Sequence, residues 1–292
     1  MTIGFRPHGE RTLSNNSYQE ELDTETMLRA GKPALVYQPA VDLGSGRLLG
    51  FEALLRWQSP GDQMVMPRLF IPWLEAHGDI VQVGEWVLAE GCRRAMEWPS
   101  SIQLAVNCSL VQLRRGVASK AVVASLEQSG LDAGRLTIEV TEHAMSEDAA
   151  MNDIRAINDL GVEIAVDDVG TSWTSFDVLR RMAVSTVKVD QSFVGGLEPH
   201  QGINRMVVET VVSLAHSSGM STVAEGVETA LQASIVREFE SDAAQGYFFA
   251  PPLSVGHATA LANKEEYRFP LEGPGWMQRD TEETRDPSLN DL

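Results

Sequence analysis

The chain of 292 residues carries 41 acidic and 23 basic side chains, a formal net charge of −18, and is 43% hydrophobic. Such a composition describes a globular protein able to bury a sizeable core. The negative balance argues against nucleic-acid polymers or anionic membranes held through a basic surface, though not against an anionic substrate, because metal ions invert the local charge of an acidic site.

Residues 1–30 read as a polar N-terminal extension, without the apolar core of a signal peptide. From residue 31 to 262, short apolar or β-branched runs alternate with helical patterns. The runs are ALVYQPAV (34–41), LLGFEALLRW (48–57), IQLAVNCS (102–109), LTIEVTE (136–142), EIAVDDVG (163–170), STVKVD (185–190), STVAEGVE (221–228) and AAQGYFFAPP (243–252). The first two are joined by only a few residues containing Gly44 and Gly46, which predicts an antiparallel hairpin. The segment 70–98 is long enough for two helices. GVASKAVVASLEQSG, DAAMNDIRAINDLG and INRMVVETVVSLAHSSG each predict a helix stopped at glycine. Strand and helix in repeated alternation imply a mostly parallel sheet. Eight such strands predict an α/β fold, a (β/α)₈ TIM-like barrel with an antiparallel first strand pair. Residues 263–292, rich in Pro, Gly and charge, read as an acidic, mostly disordered tail in which Trp276 is a candidate anchor.

No run reaches the length of a membrane span, so no membrane insertion is expected. The two cysteines, Cys92 and Cys108, form no CxxC pair and read as small buried residues in a reducing cytoplasm.

Functional groups of a (β/α)₈ barrel collect at the C-terminal ends of its strands. Acids and amides recur there: Glu52, Asn107, Glu139, Glu142, Asp167, Asp168, Asp190, Glu225, Glu228 and Gln245, with one lysine, Lys188. A single acid such as Asp168 or Glu228 serves equally well as a helix N-cap. That reading fails for the set, because Glu139 and Asp167 stand in or beside apolar runs where a lone carboxylate is costly. Carboxylates crowded at one barrel mouth need divalent cations, and all-oxygen donors suit Mg²⁺ or Mn²⁺. Five or more acidic ligands point to two ions, an arrangement that suits phosphoryl chemistry. None of the six histidines lies in a ligand pair such as HxH or HExxH.

Lys188 and Asp190 sit two apart on one predicted strand and so share a face. There Lys188 can steady an activated water, with Asp190 holding the lysine or touching that water. A lysine with a buried stem paired to carboxylates is the bland alternative. A Schiff-base lysine, as in barrel aldolases, is a third reading, opposed by the surrounding acids.

These blocks resemble the EAL-domain family of cyclic di-GMP phosphodiesterases. YQP (37–39), Glu52-Ala53-Leu54 within EALLRW, NCS, IEVTE, DD-GT, VKVD, AEGVE and QGYFFAPP stand in the family's order from about residue 33 to about 255. The resemblance implies metal-dependent hydrolysis of cyclic di-GMP to linear pGpG. It implies Glu52, Asn107, Glu139 and Asp167 on one metal, and Asp167, Asp168 and Glu225 serving a second. Lys188 is the implied catalytic lysine with Asp190 beside it. Gln245 supports the metal-water shell, and Glu225 is counted with these catalytic groups. Gln38 and Arg56 are implied substrate contacts, the latter in keeping with a guanidinium's grip on phosphate. Glu142 and Glu228 are implied braces of the loop after the fifth strand. A homodimer and a regulatory protein of unknown kind are the expected partners.

That loop departs from the family pattern. It reads DDVGTSWTSF (167–176), with Val169, Ser172 and Trp173 where the family has an aromatic, a glycine and a tyrosine. Ala183 and Ser185 replace residues that are often Pro and Asp. These changes support the alternative of a catalytically silent cyclic di-GMP receptor or protein-interaction module.

Overall fold

A computed structural model describes residues 25–59, 64–170, 184–197, 202–265 and 267–273. The strands are β1 (Lys32–Asp42), β2 (Leu48–Gln58), β3 (Met64–Val65), β4 (Gln103–Asn107), β5 (Leu136–Thr141), β6 (Glu163–Val169), β7 (Thr186–Val189), β8 (Ser221–Ala224) and β9 (Ala243–Gln245). Their order is β1-β9-β8-β7-β6-β5-β4-β2-β3, and β1 also pairs with β2. That last pairing closes the sheet, so the expected barrel is present, with β3 as a two-residue appendage on β2.

The inverted strand is β1. It runs antiparallel to β2, with Gln38 opposite Glu52, and antiparallel to β9, with Ala40 opposite Gln245. The remaining barrel neighbours are parallel. A short hairpin can only reverse the chain, so the brief 42–48 link forces this departure.

Each of the eight apolar runs contains a barrel strand, but the last two strands are shorter than their runs. Glu225–Glu228 and Gly246–Pro252 lie beyond β8 and β9 as loops over the C-terminal face. The predicted helix pair is Ile71–His77 and Ile80–Ala95, and the glycine-stopped helices are Ala118–Ser129, Asp148–Asn158 and Ile203–Ser217. Val83, Leu88, Val122, Ile154, Val208 and Val212 of these helices share one buried apolar core with Leu104, Ile138, Ile164 and Val187 of the strands. Burial of this kind contributes about 25 cal/mol per Å² of apolar surface removed from water.

Packing reaches past both ends of 31–262. Leu28, within a helical turn at 25–30, is fully buried. Phe269 is only 2% exposed, its amide donates to the Gly46 carbonyl at 2.8 Å, and its ring packs edge-on to Phe249. The segment 267–273, inside the expected tail, is thus fastened to the β1–β2 hairpin. Trp276 lies outside the described residues. Among the described residues no helix is long and apolar enough to cross a membrane.

Candidate active site

Period-two alternation on β2 sends Glu52, Leu54 and Arg56 into one cleft, while Phe51, Ala53 and Trp57 are buried in the core. The cleft, about 440 Å³, is walled by Gln38, Glu52 and Arg56 on one side, and by Asp167, Asp168, Asp190 and Glu225 from the ends of β6, β7 and β8. Gln245, Tyr247 and Glu228 complete it. Lys188 lies beneath this floor, 1% exposed.

Four carboxylates converge on Lys188 Nζ. Glu225 Oε1 is 2.6 Å away, Glu139 Oε1 2.8 Å, Glu52 Oε2 3.2 Å and Asp167 Oδ1 3.8 Å. Glu52 is held on both oxygens, by Asn107 Nδ2 at 2.6 Å and by Gln245 Nε2 at 2.6 Å. Burial opposes its charge, but Lys188, Gln245 and Asn107 outweigh burial and keep its pKa below the ordinary value. Glu139 goes the other way. Burial, then the Glu52 charge, push its pKa well up despite Lys188. Burial likewise lifts Glu225 to about 8, against the pull of Lys188. Burial works against the Lys188 ammonium too, yet Glu139, Glu225 and Glu52 together raise its pKa well above the usual lysine value. A Schiff-base nucleophile needs a neutral amine, so this environment disfavours the aldolase reading.

The neighbouring acids Asp167 and Asp168 both line the cleft, which a regular strand forbids. The register of β6 against β7 breaks between Val166 and Val169, and Asp168 has φ 60. This bulge turns both side chains to the same side, and the Asp168 amide donates to Asp167 Oδ1 at 2.9 Å. Burial, then the Asp167 and Asp190 charges, raise Asp168 to about 6.

Of the two roles expected of Asp190, holding the lysine is not what the structure shows, although the side chain does line the cleft. It caps the helix Gln191–Gly195, accepting from Ser192 N at 3.0 Å and from Ser192 Oγ. The lysine is held by the glutamates instead. Glu142 is buried at the start of the 3₁₀ turn Glu142–Ser146, and Glu228 lies at the cleft rim. The loop they are expected to brace, including Ser172, Trp173 and Ala183, lies outside the described residues. Val169 is buried and pairs with Val189, and Ser185 Oγ donates to the Ile164 carbonyl.

Arg56, 9% exposed, donates to the Leu55 carbonyl at 2.9 Å and makes no ion pair with a described residue. It faces the cleft as a guanidinium available to an anion. Gln38 is buried and donates to the Ala250 carbonyl. Sequence reasoning missed Tyr247, 51% exposed at the mouth, and Gln191. Gln191 directly follows Asp190, and Tyr247 lies two residues past Gln245 within the block QGYFFAPP; that adjacency was the available signal.

Among the described residues no three His, Cys, Asp or Glu side chains stand ready as a metal-binding group, since the acids close on Lys188. The donor chemistry nevertheless fits a hard cation. Four carboxylates share one ammonium, and Glu139 Oε2 is buried without a hydrogen-bond partner.

The sequence model of the EAL domain matches residues 20–252. The cyclic di-GMP phosphodiesterase NbdA of Pseudomonas aeruginosa is 35% identical over 266 residues, covering 88% of this chain and 33% of the relative. The oxygen sensor protein DosP of Escherichia coli is 35% identical over 249 residues, 83% of this chain and 29% of the relative. The chain therefore spans about a third of the length of these curated relatives. Among solved structures, the PaMucR phosphodiesterase in complex with c-di-GMP superposes with a TM-score of 0.75 at 33% identity, covering 82% of this chain and 99% of that one. The cAMP- and cyclic-di-GMP-bound EAL enzyme Bd1971 gives 0.78 at 25% identity, covering 85% and 70%.

Proposed function

Because this chain belongs to the EAL domain family, we propose that it is a metal-dependent phosphodiesterase that opens one phosphodiester of cyclic di-GMP to give linear pGpG. The observation that carries the proposal is the burial of Lys188 among Glu52, Glu139, Asp167 and Glu225 at the C-terminal end of the barrel. Glu52, Asn107, Glu139, Asp167, Asp168 and Glu225 are the residues that would hold two Mg²⁺ or Mn²⁺ ions. When bound, such ions supply charge neutralisation of the phosphodiester and Lewis acidity toward it.

The chain's own groups divide the remaining work. Arg56 and Gln38, on adjacent strands, face the cleft where the dianionic ligand enters, and the Arg56 fork suits a phosphate oxygen pair. Lys188, kept protonated by its acids, holds a fixed positive charge under the reacting centre, where such charge stabilises a developing oxyanion. Gln245 and Asn107 hold the Glu52 carboxylate from both sides, which fixes its orientation at the cleft. A soluble, cytoplasmic enzyme working as a homodimer, under a regulatory partner, accords with this reading.

The test is incubation of folded protein with cyclic di-GMP and Mg²⁺ or Mn²⁺, with products separated by chromatography. Formation of pGpG by the wild type and not by Glu52→Ala supports the enzyme. Ligand binding without product in either metal, unchanged by Lys188→Ala, supports the silent receptor, the reading motivated by Ser172 and Trp173.

A further inference from the structure

The arc Glu225–Glu228 is pinned from two directions. The Glu225 amide donates to the Val189 carbonyl at 3.1 Å, which ties it to β7. Val227 donates to the Gln245 carbonyl at 3.0 Å and accepts from Phe248 at 2.9 Å. Gly246 permits that clasp, since a Cβ there would stand 2.2 Å from the Val227 carbonyl oxygen. Between these ties sits Gly226, at φ +65. A Cβ added to it would stand 2.5 Å from Gln191 Cβ and 3.2 Å from Gln191 Cα. The arc therefore rests directly on the first residue of the helix Gln191–Gly195.

The segment 188–191 thus supplies both the ammonium that Glu225 touches and the stop on which the Glu225 loop rests. The geometry points to Gly226 and Gln191 as the positioning pair that sets Glu225 against Lys188. This deepens the phosphodiesterase reading and rests on it. Neither residue needs to touch substrate. Their contact fixes a carboxylate whose displacement by about 1 Å is enough to cost on the order of 100-fold in rate.

Gly219 provides the control. It also has a left-handed φ, +78, but a Cβ there meets nothing within 4 Å. Gly219→Ala therefore measures backbone strain alone, whereas Gly226→Ala adds the collision. We expect Gly226→Ala to lower kcat about 100-fold relative to Gly219→Ala, with Kd for cyclic di-GMP within about threefold of wild type, because only placement of Glu225 is lost. The double variant Gly226→Ala/Gln191→Gly removes the 2.5 Å contact and regains about tenfold in kcat. Equal kcat in the two single glycine variants, or no recovery in the double variant, overturns the pairing. If Gly226→Ala does not fold, Gln191→Gly alone tests the same contact from the other side. A kcat loss of about tenfold supports the pairing, and an unchanged kcat overturns it. Should the wild type bind cyclic di-GMP without turnover, the hydrolase reading fails separately. A crystal structure of Gly226→Ala, or of Gln191→Gly, then decides the positioning role. A Lys188–Glu225 separation beyond about 3.5 Å supports it, and one still at 2.6 Å overturns it.

Discussion

Lys188 Nζ lies 2.6 Å from Glu225 Oε1, yet the two do not form a self-contained ion pair. The same ammonium also serves Glu139, Glu52 and, more distantly, Asp167. One positive charge shared among four acids leaves the nest under-compensated. That surplus is the physical basis for expecting divalent cations, and it makes the site sensitive to pH, to charge removal and to chelation.

Stability of the chelated protein should fall as pH rises. Burial raises Glu225 to about 8, so between the ordinary carboxyl value and about 8 the folded state holds a proton that the unfolded chain has lost. Stability from such a group is lost as pH climbs through that window. Glu139 acts in the same direction, and Asp168, raised to about 6, does so at lower pH. Lys188, whose pKa is raised, keeps its contribution below the unfolded lysine value of 10.5. Calorimetry in excess chelator should show Tm falling from about pH 6 to about pH 8.5, and Mn²⁺ should flatten the slope. A Tm that climbs over that interval in chelator would contradict the assignment.

Lys188→Met should cost both activity and stability. Removing one partner of a buried charge cluster leaves carboxylates uncompensated, at about 3 kcal/mol near neutral pH. Urea unfolding should show the loss shrinking toward about pH 5, because Glu52, which Lys188 helps to keep ionised, can take up a proton there once the ammonium is gone. A loss equal at both pH values would mean that packing, not charge, is the lysine's contribution.

Arg56→Ala should act on substrate capture. Its guanidinium bonds only to the Leu55 carbonyl among described residues, so truncation strands no partner carboxylate. Loss of a charge-assisted phosphate contact of about 2 kcal/mol predicts a roughly 30-fold fall in kcat/KM, carried mainly by KM. Arg56→Lys should recover only part of this, because an ammonium lacks the planar fork. Steady-state kinetics showing a kcat effect with KM unchanged would remove Arg56 from the binding wall.

Gln245→Glu should harm the site without emptying it. The Gln245 amide donates to Glu52 Oε2 at 2.6 Å, and a carboxylate there would put like charges in contact. A kcat loss of about 100-fold is expected, with Gln245→Met less affected. Equal activity in the two variants would show that the hydrogen bond, rather than the charge, is what matters.

Much of this arrangement is legible in the residues. β-branched runs such as STVKVD mark strands, and the two-residue spacing in EALLRW is what places Glu52, Leu54 and Arg56 along one cleft. Alternation fails where the chain breaks its own rule. It assigns Asp167 and Asp168 to opposite faces, but the β6 bulge and the left-handed Asp168 bring both into the cleft. It pairs Lys188 with Asp190, whereas β7 ends at Val189 and Asp190 turns to cap the next helix. Tyr247 is hidden in an apolar run that is strand only as far as Gln245. Phe269 is hidden by composition, since YRFPLEG, whose Tyr267, Phe269 and Leu271 pack on the core, opens a stretch that is rich in Pro, Gly and charge as a whole.

Manganese binding, followed by paramagnetic resonance on folded wild type and Glu52→Gln, tests most directly whether the convergent acids act as a cation site. Two ions should be taken up per wild-type chain, Glu52→Gln should lose at least one, and turnover of cyclic di-GMP should track occupancy. Wild-type protein that hydrolyses the ligand at full rate in excess chelator, or that takes up no manganese at millimolar concentration, would contradict the account.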